Sequence, residues 1–199
     1  SDLGEISIAM HETTDDLNVA IWRGNRTRKN HSSKRDAFTS LNDEPIGIVS
    51  DKIEWKGKYR PVCEKTVIKS GFDENIALIW AHPGFNSEDW ENITSSKKGV
   101  VIAGTGLGHI NSNLLESIGK TAKDMPVAMS TQCLAGTTNL NVYRNGRELI
   151  EKVVVETHDT LPETALVKMM WLTKHEPNNV EKLMSENLVG ELSSSRKLI

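Results

Sequence analysis

The sequence predicts an α/β protein in two parts: a first part built from short strands, and a second with a parallel sheet that has helices on both faces. In residues 1–60, apolar and polar residues alternate over short stretches separated by turn residues, as in half-buried strands. From residue 75, apolar runs alternate with amphipathic stretches in a β-α-β-α-β order, which predicts a parallel sheet with right-handed crossovers. A chain of 199 residues is long enough for one good core or two small ones.

The first strands are predicted to form a hairpin. EISIAMH places Ile6, Ile8 and Met10 on one face by period-2 alternation, LNVAIWRG is its predicted partner, and ETTDDL between them is a turn rich in Thr and Asp. The polar, cationic stretch GNRTRKNHSSKRDAF that follows is predicted to be a long surface loop or an exposed strand. Residues 46–49 and 52–55 are expected to form two more short strands.

In the second part, buried strands are predicted at NIALIWAH, GVVIAG and PVAMST. Helices are predicted at SEDWENI with Ser87 as cap, at LLESIGKTAKD with Asn113 as cap, at PETALVKMMWLTKH with Pro162 in the first turn, and at NNVEKLMSENLVGEL. A parallel sheet covered on both faces should bury a set of strand residues between these helices: Ile76, Leu78, Trp80, Val100, Ile102, Val127 and Met129.

Composition and charge exclude several classes of function. A net charge of −3 and a pI near 6.1 give no chain-wide attraction to nucleic acid or anionic lipid, so any nucleic-acid contact has to be local. Cys63 and Cys133 have no CxxC spacing and the six histidines form no pair at ligand spacing, so neither a disulfide scaffold nor a metal site is expected. No apolar stretch approaches the roughly 20 residues of a membrane helix, and SDLGEISIAM lacks the regions of a signal peptide. We expect a protein of the reducing cytoplasm with no membrane partner.

The glycine-rich stretch GTGLGH, Gly104 to His109, follows a predicted strand and precedes a predicted helix, as nucleotide-binding loops do. A dinucleotide fingerprint needs glycine at its sixth place, which here is His109, and an acid after the second strand, which is missing. The stretch also lacks the Gly-Lys-Ser/Thr ending of a phosphate-binding loop. We therefore expect a tight turn at the carboxyl edge of the sheet, with no binding of NAD or ATP.

Cys133 in STQCLAG also follows a predicted strand, where a thiol can be a nucleophile if a base such as His109 or His82 lies beside it. No local motif of a cysteine hydrolase accompanies it. A small residue packed beneath a loop is therefore the favoured interpretation of Cys133.

The cationic stretch is the most informative polar segment. If residues 26–31 are extended, Arg26, Arg28 and Asn30 face one way, and the residues between them, which include Lys29 and His31, face the other. Neighbouring cations favour the neutral amine of a lysine held among them, so Lys29 is a candidate for proton transfer near neutrality. The alternative interpretation is a solvated cationic loop.

A series of motifs occurs here in a familiar order: RGNRTRKNH followed by DAF, then HPGF, GTGLGH, STQCLAG with NVY and GREL, DTLPETALVK, and LMSENLVGEL. Together they resemble the carboxyl-terminal half of the D-subunit family of archaeal glutamyl-tRNA(Gln) amidotransferases, which is built on a type I asparaginase. LPETALVK and GTGLGH favour this family over the free asparaginases. The resemblance covers essentially all 199 residues. It implies an asparaginase-like α/β fold, with the end of the large amino-terminal domain at residues 1–60, a linker at 61–74 and the small parallel-sheet domain at 75–199.

The resemblance also implies a mechanism in which a threonine hydroxyl attacks the side-chain amide of glutamine and releases ammonia, assisted by a second threonine, an aspartate and a lysine. Lys29 corresponds to that lysine. The TGGT-like and TDT-like stretches that carry the other catalytic groups are absent from these 199 residues, so the chain alone is expected to be inactive. In asparaginase-like enzymes the small domain of one subunit lies against the active site of its neighbour, so GTGLGH is expected to shape a dimer interface or site wall.

Further expectations follow from the same resemblance. Glutamine is the implied substrate, a homodimer of this protein and a complex with the partner E-subunit of the amidotransferase are implied assemblies, and Glu-tRNA(Gln) is met through that complex. No cofactor is expected in this chain, while ATP and Mg²⁺ are expected on the partner protein. Two alternatives stay open: a type I L-asparaginase, and a non-catalytic dimerisation or docking module.

Overall fold

The structure is a computed structural model that describes residues 1–65 and 67–193. The chain forms two compact units, Ser1–Ile68 and Lys69–Ile199, and the division between them falls inside the predicted linker at residues 61–74. Residues 194–199, at the end of the predicted second domain, lie outside the described part of the chain. No helix among the described residues is long and apolar enough to cross a membrane.

The described residues of the first unit form six strands: β1 Ser7–His11, β2 Val19–Arg23, β3 Arg28–Lys29, β4 Phe38–Thr39, β5 Gly47–Val49 and β6 Ile53–Trp55. The main sheet has the order β1, β2, β5, β6 and is antiparallel throughout, while β3 and β4 form a separate antiparallel pair. The predicted hairpin of β1 and β2 is confirmed, since Ser7 pairs with Arg23 and His11 with Val19.

The predicted apolar face of the first strand is only partly formed. Ile8 and Met10 are partly buried, but Ile6 is 90% exposed, so its predicted burial is wrong. Its backbone still extends the pairing, because the Ile6 carbonyl accepts a hydrogen bond from Gly24 N at 3.0 Å. Backbone hydrogen bonding between the two strands therefore extends one residue beyond the buried part of the first strand.

The second unit contains the predicted parallel sheet, with the strands β7 Ile76–Trp80, β8 Gly99–Gly104, β9 Val127–Thr131 and β10 Val155–Glu156. They lie in the order β10, β9, β8, β7 and all pair in parallel. The sequence does not predict β10, because only two of its residues pair and two residues give no alternation pattern.

Within residues 69–193, five α-helices surround this sheet: α1 Ser87–Thr94, α2 Leu115–Asp124, α3 Arg144–Glu151, α4 Pro162–His175 and α5 Val180–Met184. The sequence does not predict α3, because its segment RNGRELIE is mostly polar and contains an Asn-Gly pair typical of turns. Pro162 occupies the first turn of α4 as predicted, where an N–H is not needed. The predicted last helix is wrong beyond Met184, where α5 ends.

Two predicted helix caps are wrong. The cap of α1 is Asn86 rather than Ser87, because the Asn86 side chain accepts two backbone N–H groups at 2.8 and 3.1 Å. The Asp89 carboxylate accepts the Asn86 N–H in return at 3.2 Å, which completes a capping box. Asn113 does not cap α2, because it lies inside the 3₁₀ turn Ser112–Leu114 that leads into the helix.

The sheet separates two apolar cores, because successive side chains of a strand point to opposite faces. Val100 and Ile102 pack on the face covered by α1, α2 and α3, whereas Val101 between them packs on the face covered by α4 and α5. Helices therefore cover both faces, as predicted. Ile76 is buried as predicted, on the α4 side, where Leu78 is only partly buried. The predicted burial of Trp80 is wrong, because Trp80 is 39% exposed at the end of the edge strand β7.

The end of α3 contains a strained residue. Val153 has φ +64°, in the left-handed region that β-branched residues avoid. Its N–H donates to the Ile150 carbonyl at 2.9 Å, and the Val154 N–H donates to the Leu149 carbonyl at 3.1 Å. This is the Schellman arrangement, which normally has glycine at the position of Val153. Leu149 and Val154 are buried in the same core, so their packing keeps the strained residue in place.

We expect Val153→Gly to stabilise the protein by about 0.5–1 kcal/mol, because relief of left-handed strain exceeds the entropy that glycine adds to the unfolded chain. The Val153 side chain is mostly exposed, so little packing is lost. Chemical denaturation measures the change. The matched control Val167→Gly, at an exposed position inside α4, should destabilise by about 0.5–1 kcal/mol. Equal destabilisation by both variants would contradict the interpretation.

Candidate functional site

Lys29 lies at the end of β3, in the short hairpin formed by β3 and β4. Arg28 pairs with Thr39, and Lys29 pairs with Phe38. Lys29 is exposed, and its Nζ lies 5.6 Å from the centroid of the Phe38 ring, within the range of a cation–π contact. The aromatic ring therefore supports the amine while leaving it accessible.

Two arginines connect the start of this hairpin to the main sheet. Arg23 at the end of β2 forms ion pairs with Glu5 at 2.5 Å and with Asp43 at 2.6 Å. Arg26 lies in the 3₁₀ turn Gly24–Arg26, is 4% exposed, and donates from Nη2 to a backbone carbonyl at 3.0 Å. These guanidinium groups therefore have structural roles, and the turn they hold leads directly into β3.

The predicted alternation over residues 26–31 is wrong at both ends. Because Arg26 belongs to the 3₁₀ turn, only Arg28 and Lys29 have strand geometry. Asn30 follows the strand, and its N–H donates to the Ala37 carbonyl at 2.7 Å, which closes the loop between β3 and β4. Residues 31–35 are exposed, so the alternative interpretation of a solvated loop describes this part of the stretch.

In the second unit, the stretch GTGLGH folds as a closed turn after β8. Thr105 and His109 exchange backbone hydrogen bonds, each 2.8 Å from N to O. Gly108 has φ +102°, and a Cβ there would lie 2.9 Å from Met129 Cγ and 3.0 Å from Leu140 Cδ2. Both backbone conformation and packing therefore require glycine at this position. The absence of NAD or ATP binding stays a prediction.

Beside this turn lies an open depression of about 500 Å³, lined by Gly106, Leu107, His109 and Tyr143. The rings of His109 and Tyr143 meet edge to face, with centroids 5.0 Å apart. Tyr143 is the last residue of the motif NVY, but no local pattern in the sequence predicts that it lines this depression. The role of this surface as a dimer interface or site wall stays a prediction.

Polar side chains join the carboxyl ends of neighbouring strands. Gln132 Nε2 donates to the carbonyls of Ala81, just after β7, and Ala103, in β8. Thr131 Oγ1 donates to the Gly106 carbonyl at 2.6 Å. These side chains bind backbone carbonyls around the ends of β7 and β8, so they belong to the structure of the sheet edge.

Cys133 follows this edge, and the expectation that it packs beneath a loop is wrong because its thiol is free and exposed. The histidines considered as its base pack on aromatic rings: the ring centroids of His82 and Phe85 lie 5.3 Å apart, and those of His109 and Tyr143 lie 5.0 Å apart. Within the described ranges 1–65 and 67–193, no group of three or more His, Cys, Asp or Glu side chains could hold a metal ion.

Comparisons with known proteins agree with this architecture. Residues 75–184 match the family model of the glutaminase/asparaginase carboxyl-terminal domain, and residues 1–61 match that of the asparaginase amino-terminal domain. The chain belongs to the glutaminase/asparaginase family. The predicted asparaginase-like α/β fold is thereby confirmed.

Curated relatives of this glutaminase/asparaginase chain include two proteins named as the D-subunit of glutamyl-tRNA(Gln) amidotransferase. The one from Saccharolobus solfataricus is 39% identical over 208 residues, covering 98% of this chain and 46% of the relative. The one from Thermoplasma acidophilum is 39% identical over 194 residues, covering 96% of this chain and 47% of the relative. The predicted resemblance is therefore confirmed, and the chain spans about half the length of the curated relatives it matches.

Solved structures give the same family. The thermostable L-asparaginase from Thermococcus kodakarensis matches with a TM-score of 0.87 and 31% identity, over 96% of this chain and 58% of that one. L-asparaginase I from Vibrio cholerae matches with a TM-score of 0.77 and 27% identity, over 87% of this chain and 55% of that one.

Two motifs of this glutaminase/asparaginase chain, LPETALVK and LMSENLVGEL, meet in a buried ion pair. Lys168 Nζ lies 2.6 Å from Glu191 Oε1, and the side chains are only 7% and 1% exposed. Burial opposes ionisation of Glu191, but the Lys168 ammonium and the N–H groups of Val189 and Leu188 outweigh it and lower the pKa of its carboxyl group. The sequence signal for this pair is Lys168 itself, a charged residue among the core-facing positions of α4.

The same lysine binds backbone carbonyls at the carboxyl end of the short helix α5. Lys168 Nζ donates to the carbonyl of Met184, the last residue of α5, and to the carbonyl of Glu186 just beyond the helix. Gly190 then turns the chain with φ +85°, and its N–H donates to the Asn187 side chain at 2.7 Å. This is why the predicted last helix does not continue to Leu192.

We expect Glu191→Gln to destabilise the protein by about 3–5 kcal/mol, because it leaves the Lys168 ammonium buried without an anionic partner. The double variant Lys168→Met/Glu191→Gln should recover most of this loss, since no buried charge remains and the amide oxygen can still accept the backbone N–H groups. Denaturation of the single and double variants measures the coupling.

A matched control is Glu116→Gln on α2, which removes the exposed ion pair with Lys120 and should change stability by less than about 0.5 kcal/mol. Equal destabilisation by Glu191→Gln and the double variant would show that the charge of Lys168 is not the cause.

Proposed function

We propose that this chain is the carboxyl-terminal part of the glutaminase subunit of a tRNA-dependent amidotransferase. The observation that carries the proposal is the 39% identity, over 98% of the chain, to a relative named as the D-subunit of glutamyl-tRNA(Gln) amidotransferase. In this proposal the full subunit hydrolyses glutamine, and the ammonia serves the conversion of Glu-tRNA(Gln) to Gln-tRNA(Gln). Membership of the glutaminase/asparaginase family supports the hydrolytic step.

Lys29 is the catalytic residue that we assign within this chain. A threonine hydroxyl, supplied from outside these 199 residues, attacks the side-chain carbonyl carbon of glutamine, and the C–N bond breaks to release ammonia. The amine of Lys29 accepts the hydroxyl proton, which increases the nucleophilicity of the oxygen, and then donates that proton to the departing nitrogen so that ammonia leaves. Water then hydrolyses the acyl-enzyme to glutamate. The exposure of Lys29 at the end of β3 supports this role, because the amine is accessible to a reacting group.

The chain itself needs no cofactor for this reaction. ATP and Mg²⁺ belong to the partner E-subunit, which activates glutamate on the mischarged tRNA, and Glu-tRNA(Gln) is bound through that complex. The net charge of −3 supports a role in which this chain does not attract tRNA by itself. A homodimer of the glutaminase subunit in the cytoplasm completes the proposal, and the free thiols of Cys63 and Cys133 are consistent with that compartment.

A type I L-asparaginase is the second candidate, supported by the TM-score of 0.87 to the L-asparaginase from Thermococcus kodakarensis. The two functions differ in substrate preference. We expect the full-length subunit to have a higher kcat/KM for glutamine than for asparagine. A preference for asparagine would favour the second candidate, and no hydrolysis of either would favour a docking module.

The 199-residue chain alone should hydrolyse neither glutamine nor asparagine above background. A lysine can deprotonate a hydroxyl group, but it does not replace the threonine nucleophile, which this sequence lacks. Coupled detection of released ammonia measures this. If the purified chain hydrolyses either substrate and its Lys29→Ala variant does not, the nucleophile lies within these 199 residues. That result would overturn its assignment to another segment.

In the full-length subunit, Lys29→Ala should lower kcat for glutamine hydrolysis by about two to four orders of magnitude, the usual range for a general acid or base. The control is Arg28→Ala, a neighbouring cation paired across the hairpin with Thr39, which should cost far less. Similar small losses in both variants would mean that the hairpin is only a cationic surface.

A further inference from the structure

The loop after Lys29 has little backbone pairing to hold it. β3 and β4 are two residues each, and an isolated hairpin of that size is marginal in water. The Asn30 N–H closes the loop by donating to the Ala37 carbonyl at 2.7 Å, and Asn30 Nδ2 donates to Thr39 Oγ1 at 2.6 Å. Side chains must therefore order the exposed residues between these contacts.

His31 supplies the hydrogen bonds of that turn. Its ring Nδ1 accepts from the backbone N–H groups of Ser33 and Lys34, each at 3.1 Å. These are the contacts that an Asn or Asp side chain makes in an Asx-turn, here made by an imidazole nitrogen. Two N–H donors face Nδ1, so Nδ1 carries no proton and the neutral ring carries its proton on Nε2.

The far end of the loop is anchored separately. Arg35 forms an ion pair with Asp16, in the turn between β1 and β2, and this contact lowers the pKa of the Asp16 carboxyl group. Thus Arg35 anchors the far end of the loop to the turn between β1 and β2, while His31 forms the hydrogen bonds of the part that follows Lys29. The only residue between Lys29 and His31 is Asn30, whose backbone closes the hairpin.

We propose that His31 is a positioning residue for Lys29: its ring, protonated only on Nε2, closes the turn that ends β3 and so keeps the Lys29 amine beside Phe38. This inference rests on the proposed function of Lys29 as the proton acceptor. His31 acts through the backbone of the loop, so another side chain with a short-range acceptor can replace it, but an apolar one does not.

The hydrogen-bonding part is tested on this chain by NMR of ¹⁵N-labelled histidine at neutral pH. We expect His31 to show an unprotonated Nδ1 and a protonated Nε2. A ring protonated on Nδ1, or one averaging between both tautomers, would overturn the inference whatever Lys29 does.

The positioning part is tested in the full-length subunit. His31→Leu should lower kcat for glutamine hydrolysis by about 10-fold to 100-fold with KM within about threefold, since small misplacement of a catalytic group has that effect. His31→Asn, whose side-chain oxygen can accept the same two N–H groups, should stay within about threefold of the parent. Ser32→Ala, at the next exposed position, is the control and should leave kcat unchanged.

Combining His31→Leu with Lys29→Ala distinguishes a failure of the positioning role from a failure of the proposed function. In the Lys29→Ala background, His31→Leu should cause no further loss, because a residue that acts only through Lys29 has nothing left to position. Further loss in that background, or full activity of His31→Leu in an enzyme that Lys29→Ala inactivates, would overturn the inference alone. Full activity of Lys29→Ala would overturn the proposed function and the positioning role together.

Discussion

A parallel sheet leaves neither of its faces to solvent, and this constraint determines most of the second unit. Successive residues of β8 pack in opposite directions, with Val100 and Ile102 in one core and Val101 in the other. The strand order is sequential, so right-handed crossovers bring α1, α2 and α3 to the same face, and α4 and α5 have to cover the second one. The buried pair of Lys168 and Glu191 fixes the chain after α5, where no helix continues.

The same constraint explains why the glycine-rich turn has a structural role. Gly108 packs against Met129 from the neighbouring strand, and the backbone groups of the turn form hydrogen bonds with each other.

In the first unit, the arginines and Lys29 lie in different environments. Its guanidinium groups at Arg23 and Arg26 face carboxylates or carbonyls, as suits a planar group with several donors, whereas Lys29 is exposed at the strand end. The candidate chemistry therefore lies in a hairpin of marginal intrinsic stability.

Elements with a repeating apolar pattern could be predicted from the sequence. Three apolar runs gave β7, β8 and β9, and Pro162 with its apolar stripe gave α4. The strand β10 and the polar helix α3 could not be predicted, because both depend on contacts with distant residues rather than on local pattern. Motif resemblance singles out Lys29, but not the ring of His31 in its turn, because a hydrogen bond to a backbone two and three residues ahead leaves no periodic signal.

The most direct test of the central claim, that Lys29 accepts a proton during glutamine hydrolysis, is chemical rescue of the full-length Lys29→Ala variant. Small primary amines such as methylamine can enter the space left by the lysine side chain and take the hydroxyl proton in its place. We predict that kcat rises with amine concentration, and more steeply for more basic amines, while Arg28→Ala does not respond. A Lys29→Ala enzyme whose rate stays constant at every amine concentration, or an equal response in both variants, would contradict the claim.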